Sequence, residues 1–156
     1  MAGIDHFNDP AAPRANSLVV AVTVFVVDDD DRVLLVRPTG AAQWGLPGGA
    51  QQLGEYVGAA AVRTTRALSG VDVEVTGLVG VYSNPHHVVA YPDGEVRQQF
   101  ALCFRGRYLG GAPAAGTGID EVRWVPSDAL DELPLHPSTR LRVDHGYNRM
   151  PQPYLG

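Results

Sequence analysis

The chain has 156 residues, 45% of them apolar, and its 12 basic and 17 acidic side chains give a net charge of −5. That length suits one domain, large enough to bury a core without a disulfide or metal staple. The single cysteine, Cys103, excludes a disulfide framework and a multi-cysteine metal centre, and the absence of lysine excludes a lysine Schiff base or a P-loop lysine.

The acidic balance argues against a nucleic-acid polymer as partner. No charged-then-apolar leader and no apolar run near about 20 residues is present, so the sequence predicts a cytoplasmic protein that does not engage a membrane. Residues 1–16 carry Pro10, Pro13 and several alanines without periodicity and read as a flexible N-terminal arm. Residues 17–156 read as one domain.

From Leu18 to Val27 a nearly continuous run of Val, Ala, Thr and Phe predicts a strand buried on both faces. Asp28 to Asp31 predict a solvated turn, and Arg32 to Arg37 a second strand. An irregular glycine-rich stretch follows from Pro38 to Gly49. Glu55 to Leu68 is alanine-rich, lacks Gly and Pro after Gly58 and ends at Gly70, which predicts the principal helix. Val71 to Tyr82 alternates as a strand. Val88 to Tyr91 and Glu95 to Leu109, joined through Pro92-Asp93-Gly94, predict a long hairpin. After a glycine- and alanine-rich loop at 110–119, Glu121 to Pro126 reads as a short strand. Ser127 is placed to cap a short helix that Pro134 ends, and Pro137 to open a last helix through Tyr147. These elements predict an α/β (α+β) sandwich, a mixed β-sheet between helices.

One stretch carries more information. Trp44-Gly45-Leu46-Pro47-Gly48-Gly49 leads to Glu55, Arg63, Gly70 and Val71. This resembles the signature of the Nudix family, Gly-x5-Glu-x7-Arg-Glu-U-x-Glu-Glu-x-Gly-U with U aliphatic, and the likeness in strand order extends over residues 17–135. The resemblance implies a Nudix-type sandwich and hydrolysis of a nucleoside diphosphate linked to another moiety. It also implies Mg²⁺ or Mn²⁺ held by glutamates on the signature helix. The chemistry needs them, because a pyrophosphate is polyanionic and attack by water requires neutralising cations and a base. By the same resemblance Gly48 and Gly49 allow a sharp turn, Glu55 and Arg63 tie loop to helix, and Gly70 ends the helix. The Gly48 carbonyl matches a backbone oxygen that binds metal in the family.

The chemical half of the motif is missing. The three glutamate positions hold Thr64, Ala67 and Leu68, the aliphatic position between them holds Thr65, and Tyr56 to Leu68 contains no carboxylate. Side chains at i, i+3 and i+4 share one helix face, so the face that should cradle metal is neutral. Glu55 and the Gly48 carbonyl are the residual metal donors, and Mg²⁺, which dehydrates reluctantly, is expected to bind weakly or not at all.

Three functional readings follow. In the first, metal-dependent hydrolysis is lost or strongly weakened while a small phosphate-containing ligand is still bound. In the second, Glu55, Glu95 and Glu121 form a relocated catalytic site. In the third, His86 or His87 serves as acid or base in a metal-independent reaction. Arg37 and Arg97 are candidate phosphate clamps, and Trp44 either stacks on a ligand or covers the core. Only one of His86 and His87 is expected to face a pocket, since neighbours on an extended segment point apart. Arg140, Arg142 and Arg149 read as a solvated face of the last helix. An exposed strand edge or the arm is the expected place for a homodimer contact.

Overall fold

A computed structural model describes residues 3–156. In chain order the elements are β1 (Ile4–Phe7), β2 (Ser17–Val27), β3 (Val33–Pro38), β4 (Gly48–Ala50), α1 (Val57–Ser69), β5 (Asp72–Tyr82), β6 (His87–Ala90), β7 (Val96–Gly110) and β8 (Ile119–Val125). A 3₁₀ segment at Ser127–Glu132, α2 (Pro137–Asn148) and β9 (Tyr154–Leu155) complete the chain. No described helix is long and apolar enough to cross a membrane.

The strands form one mixed sheet of order β1-β6-β7-β2-β3-β8, with β4 added to β2, β5 to β7 and β9 to β5. Its spine is the parallel pairing of β2 with β7, in register from Ser17↔Arg97 to Val27↔Arg107. The Val- and Phe-rich run of β2 alternates its side chains between two cores. Val22, Val24 and Val26 pack with Ala60 and Ala61 of α1 on one face, and Phe25 packs with Val143 of α2 on the other. The expected mixed sheet between helices is therefore the fold observed.

The reading of residues 1–16 as a loose arm is corrected at Ile4–Phe7, which pair antiparallel with His87–Ala90 as an edge strand. Four residues are too short to show a period, so only the waiting sheet edge reveals the strand. Met1 and Ala2, also in that arm, lie outside the described residues. Ser127 does not cap its helix by side chain: the segment is 3₁₀, with Pro126 at its N-cap. The helix predicted over Glu55–Leu68 starts at Val57 and stops as expected at Gly70, whose left-handed φ of 75° lets its N–H bond the Arg66 carbonyl.

Candidate functional site

The glycine approach to α1 is shaped by closeness rather than by turning. Neither Gly48 nor Gly49 has a positive φ; both lie in β4, opposite Thr23 and Val22. A Cβ on Gly48 would sit 2.1 Å from the Val22 carbonyl oxygen, so only glycine lets β4 lie against β2 here. The expected sharp turn is thus corrected to a close strand approach. Five residues beyond Ala50, Glu55 receives the Arg63 guanidinium bidentately, at 2.7 Å from Nε and 2.9 Å from Nη2. Arg63 also donates to the Ala50 carbonyl, and Glu55 accepts the Gln52 N–H. This clamp fastens loop to helix and, chiefly through the Arg63 hydrogen bonds, holds the Glu55 carboxyl down at about 2.

Along α1 the signature positions offer nothing to a cation. Thr64 is buried, its hydroxyl donates back to the Ala60 carbonyl at 2.8 Å, and its methyl lies against Gly49. Thr65 and Ser69 repeat the pattern, bonding the carbonyls of Ala61 and Thr65. Ala67 and Leu68 carry no donor atom. The backbone carbonyls of Leu68 and Ser69, orphaned at the helix end, accept N–H groups of Gly116 and Ala114 from the loop after β7. The glycine- and alanine-rich loop is therefore seated on the end of α1. These residues do not fit a Mg²⁺ or Mn²⁺ site of the family's kind, because the hydroxyls are neutral and buried and no carboxylate is present.

Glu55, Glu95 and Glu121 are not gathered into one cluster. Glu95 accepts Ser17 Oγ at 2.6 Å and a bidentate Arg97, beside the turn into β7. Glu121, on β8, pairs with Arg123 and lies 3.6 Å from Arg37. Both carboxyls are held below their ordinary range, first by the arginine hydrogen bonds. Among the described residues the one group of three potential ligand side chains contains none of these glutamates. Arg37 is engaged with Asp120, and Arg97, besides Glu95, lies over the Tyr91 ring at 4.9 Å. Trp44 is only 4% exposed; it sits in the α2-side core with the Arg123 and Arg37 guanidiniums over its ring. Of its two expected roles, covering the core is the one the structure displays.

The two histidines point apart, yet the expectation that only one would face a pocket is corrected, because each borders a cavity of its own. His86 is exposed along a groove with Asp9, Arg14 and Gln98, whereas His87 is buried beside a different cavity. His87 Nε2 contacts Asp5 Oδ2 at 2.9 Å, and His136 Nε2 contacts Asp5 Oδ1 at 3.0 Å, with the two imidazoles stacked 5.0 Å apart. This triad superficially suits a metal. However, His136 Nδ1 accepts the Ser138 backbone N–H at 3.1 Å, so in the neutral ring the proton lies on Nε2 and is donated to Asp5. A cation at Nε2 would force that proton onto Nδ1, facing another N–H. Burial works against the Asp5 charge, yet the hydrogen bonds from His136 and His87 outweigh it and hold the carboxyl well below its usual range. The triad is a latch joining β1, β6 and the start of α2.

That latch borders a cavity of about 240 Å³ on the α2 side of the sheet, lined by Phe7, Tyr82, Gln99, Ser138, Leu141 and Arg142 among others. Arg142, assigned from sequence to a solvated face, is corrected to a buried position at 8% exposure. The signal was available: Thr139, Arg142, Val143 and Gly146 recur at i, i+3, i+4 and i+7 and form the buried stripe of α2. Tyr82, at the end of β5, hydrogen-bonds His145 Nδ1 at 2.8 Å and stacks with Tyr154. Asp5 and His136 gave no sequence signal, because the contacts that join them to each other and to His87 span distant parts of the chain.

Comparison with known proteins agrees with this architecture. The NUDIX domain family profile matches residues 17–145. The chain is 32% identical over 113 residues to a MutT-like protein of Streptomyces ambofaciens, covering 72% of this chain and 67% of that one. It is 31% identical over 108 residues to a putative 8-oxo-dGTP diphosphatase of Bacillus subtilis (strain 168), covering 69% and 66%. The chain thus spans about two thirds of the length of these relatives. Among solved structures, a UDP-X diphosphatase superposes with a TM-score of 0.70 at 19% identity, over 94% of this chain and 70% of that one. With its signature loop, helix and mixed sheet in place, this chain belongs to the NUDIX domain family.

Proposed function

We propose that this chain binds a small phosphate-containing ligand, a nucleotide or a molecule built on one. In this reading, Mg²⁺- or Mn²⁺-dependent hydrolysis of nucleoside-diphosphate-linked substrates is lost or strongly weakened. The observation that carries it is the neutral face of α1: Thr64 turns its hydroxyl onto Ala60, and Ala67 and Leu68 follow without a carboxylate. Divalent cations stabilise the transition state of such a hydrolysis by several kcal/mol, so their loss lowers the rate by orders of magnitude.

The test is phosphate release with Mg²⁺ and Mn²⁺ over 8-oxo-dGTP, ordinary nucleoside triphosphates, nucleotide sugars, ADP-ribose and dinucleoside polyphosphates. The expected result is negligible turnover together with thermal stabilisation by at least one nucleotide. Turnover typical of an efficient enzyme overturns the proposal, and Glu55→Gln, Glu95→Gln and Glu121→Gln would then locate the working carboxylate. A cytoplasmic setting and a homodimer through the outer edge of β1, where Ile4 is exposed, belong to the same proposal. Sedimentation of the protein with and without residues 1–8 tests the dimer.

A further inference from the structure

A buried charged group lies on the face away from the signature helix. Arg142 is 92% buried yet makes no ion pair among the described residues, and its Nε is enclosed with no hydrogen-bond partner. Its polar neighbour is Ser138 Oγ, 3.4 Å from Nη1, and the guanidinium otherwise rests over the Tyr82 ring at 4.8 Å. Nearby carboxylates are already spent: Asp144 on Arg140, and Asp5 on its two histidines. A buried charge without a counter-ion is strongly unfavourable, and buried arginines are ordinarily paired. Burial accordingly pulls the Arg142 pKa below its ordinary value.

The same arginine lines the cavity described above, with Gln99, Asn84 and Ser138 as further polar groups and Phe7, Leu141 and Tyr154 as apolar wall. At about 240 Å³ the space lies just below the range of roughly 300–1,000 Å³ that holds drug-sized ligands. The chemistry that completes it is a compact molecule with an apolar or aromatic body and one oxyanion. A carboxylate or phosphate would supply the missing counter-charge, since the planar guanidinium matches either bidentately.

We infer that the cavity between α2, β5 and β7 is a recognition site for a small oxyanion-bearing ligand, with Arg142 as the residue that selects the anion. The inference goes beyond the functional reading above and does not depend on it, because the cavity lies on the opposite side of the sheet from α1 and involves none of the signature positions. Ser138 and Gln99 orient the anion, and Tyr82 and Leu141 take the body of the ligand.

Calorimetric titration of the full chain with benzoate, phenyl phosphate and the neutral isostere benzamide tests the site. The result expected is that at least one anion binds tenfold or more tightly than benzamide. Preference for benzoate assigns a carboxylate, and preference for phenyl phosphate assigns a phosphate. Arg142→Met should abolish the preference. Ser138→Asp should also abolish it by placing a carboxylate beside the guanidinium, at a helix position where an acidic residue is favourable. Melting curves of both variants show whether α2 stays docked. The inference is overturned if neither anion is preferred over benzamide by the unaltered protein, or if the preference persists in a folded Arg142→Met or Ser138→Asp. Neither readout uses a nucleotide or a divalent cation, so failure here is separate from failure of the hydrolysis proposal.

Discussion

The two helices that cover the sheet are nearly equal in length, 13 and 12 residues, and treat polar groups in opposite ways. On α1 the buried stripe is Ala60, Ala61, Thr64, Thr65 and Ser69, small residues whose hydroxyls all return to carbonyls one turn back. Its surface is close-packed, satisfied and neutral where the family signature has glutamates. On α2 the stripe contains an arginine whose Nε has no partner, facing a cavity rather than a carboxylate. The contrast teaches that a scaffold retains its architecture when one helix face carries no charge. Glycine spacing, the Glu55–Arg63 clamp and the Gly70 cap are satisfied by backbone geometry and need no metal. An uncompensated charge, by contrast, lowers stability unless a partner outside the chain offsets it.

The comparison can be broken most forcefully by returning the missing charges to α1. Thr64→Glu, Ala67→Glu and Leu68→Glu together should raise Mg²⁺ affinity by at least about a hundredfold, about 3 kcal/mol, measured by calorimetry. No uptake would mean that the three positions do not converge. Next comes the close approach beneath them. Gly48→Ala forces a Cβ toward the Val22 carbonyl and should lower stability by about 2 kcal/mol in urea unfolding, whereas an unchanged midpoint would mean that β4 shifts freely. On the other face Arg142→Met should move stability the opposite way, by about 1 kcal/mol upward, because it removes an unpaired buried charge while keeping much of the side-chain volume. A destabilised Arg142→Met would show that the arginine is already compensated within the fold.

The smallest effect concerns the loop clamp. The Glu55 carboxyl falls from its ordinary 4.5 to about 2 in the folded chain, so its contribution is fully present above pH 4.5 and disappears as pH falls through about 2. Melting temperatures of the unaltered protein and Glu55→Gln should therefore differ most near neutral pH and converge between pH 4.5 and 2. A constant difference across that window would detach the stabilising role of Glu55 from its ionisation.

Legibility in the sequence followed the range of the interaction. The helix at 57–69, its stop at Gly70, the strand pattern of β2 and the Glu55–Arg63 pairing rest on contacts within a few turns of chain or on a spaced motif, and all are visible in linear order. Short strands such as β1 and β9 were not, since two to four residues have no period and depend on an edge supplied elsewhere. The site divides the same way. The absence of carboxylates on α1 is a linear fact. The burial of Arg142 was hidden behind its charge, although its neighbours in the stripe gave the spacing. The Asp5–His87–His136 latch joins positions separated by 82 and 131 residues, beyond any local signal.

By itself the sequence determined the family's loop–helix frame and the neutrality of its signature face, because helix periodicity and residue chemistry are local properties. Only the tertiary structure decided that Gly48 serves proximity rather than turning and that Trp44 belongs to the core. It alone revealed an arginine enclosed without a counter-ion, because burial and pairing depend on which distant segments the sheet brings side by side.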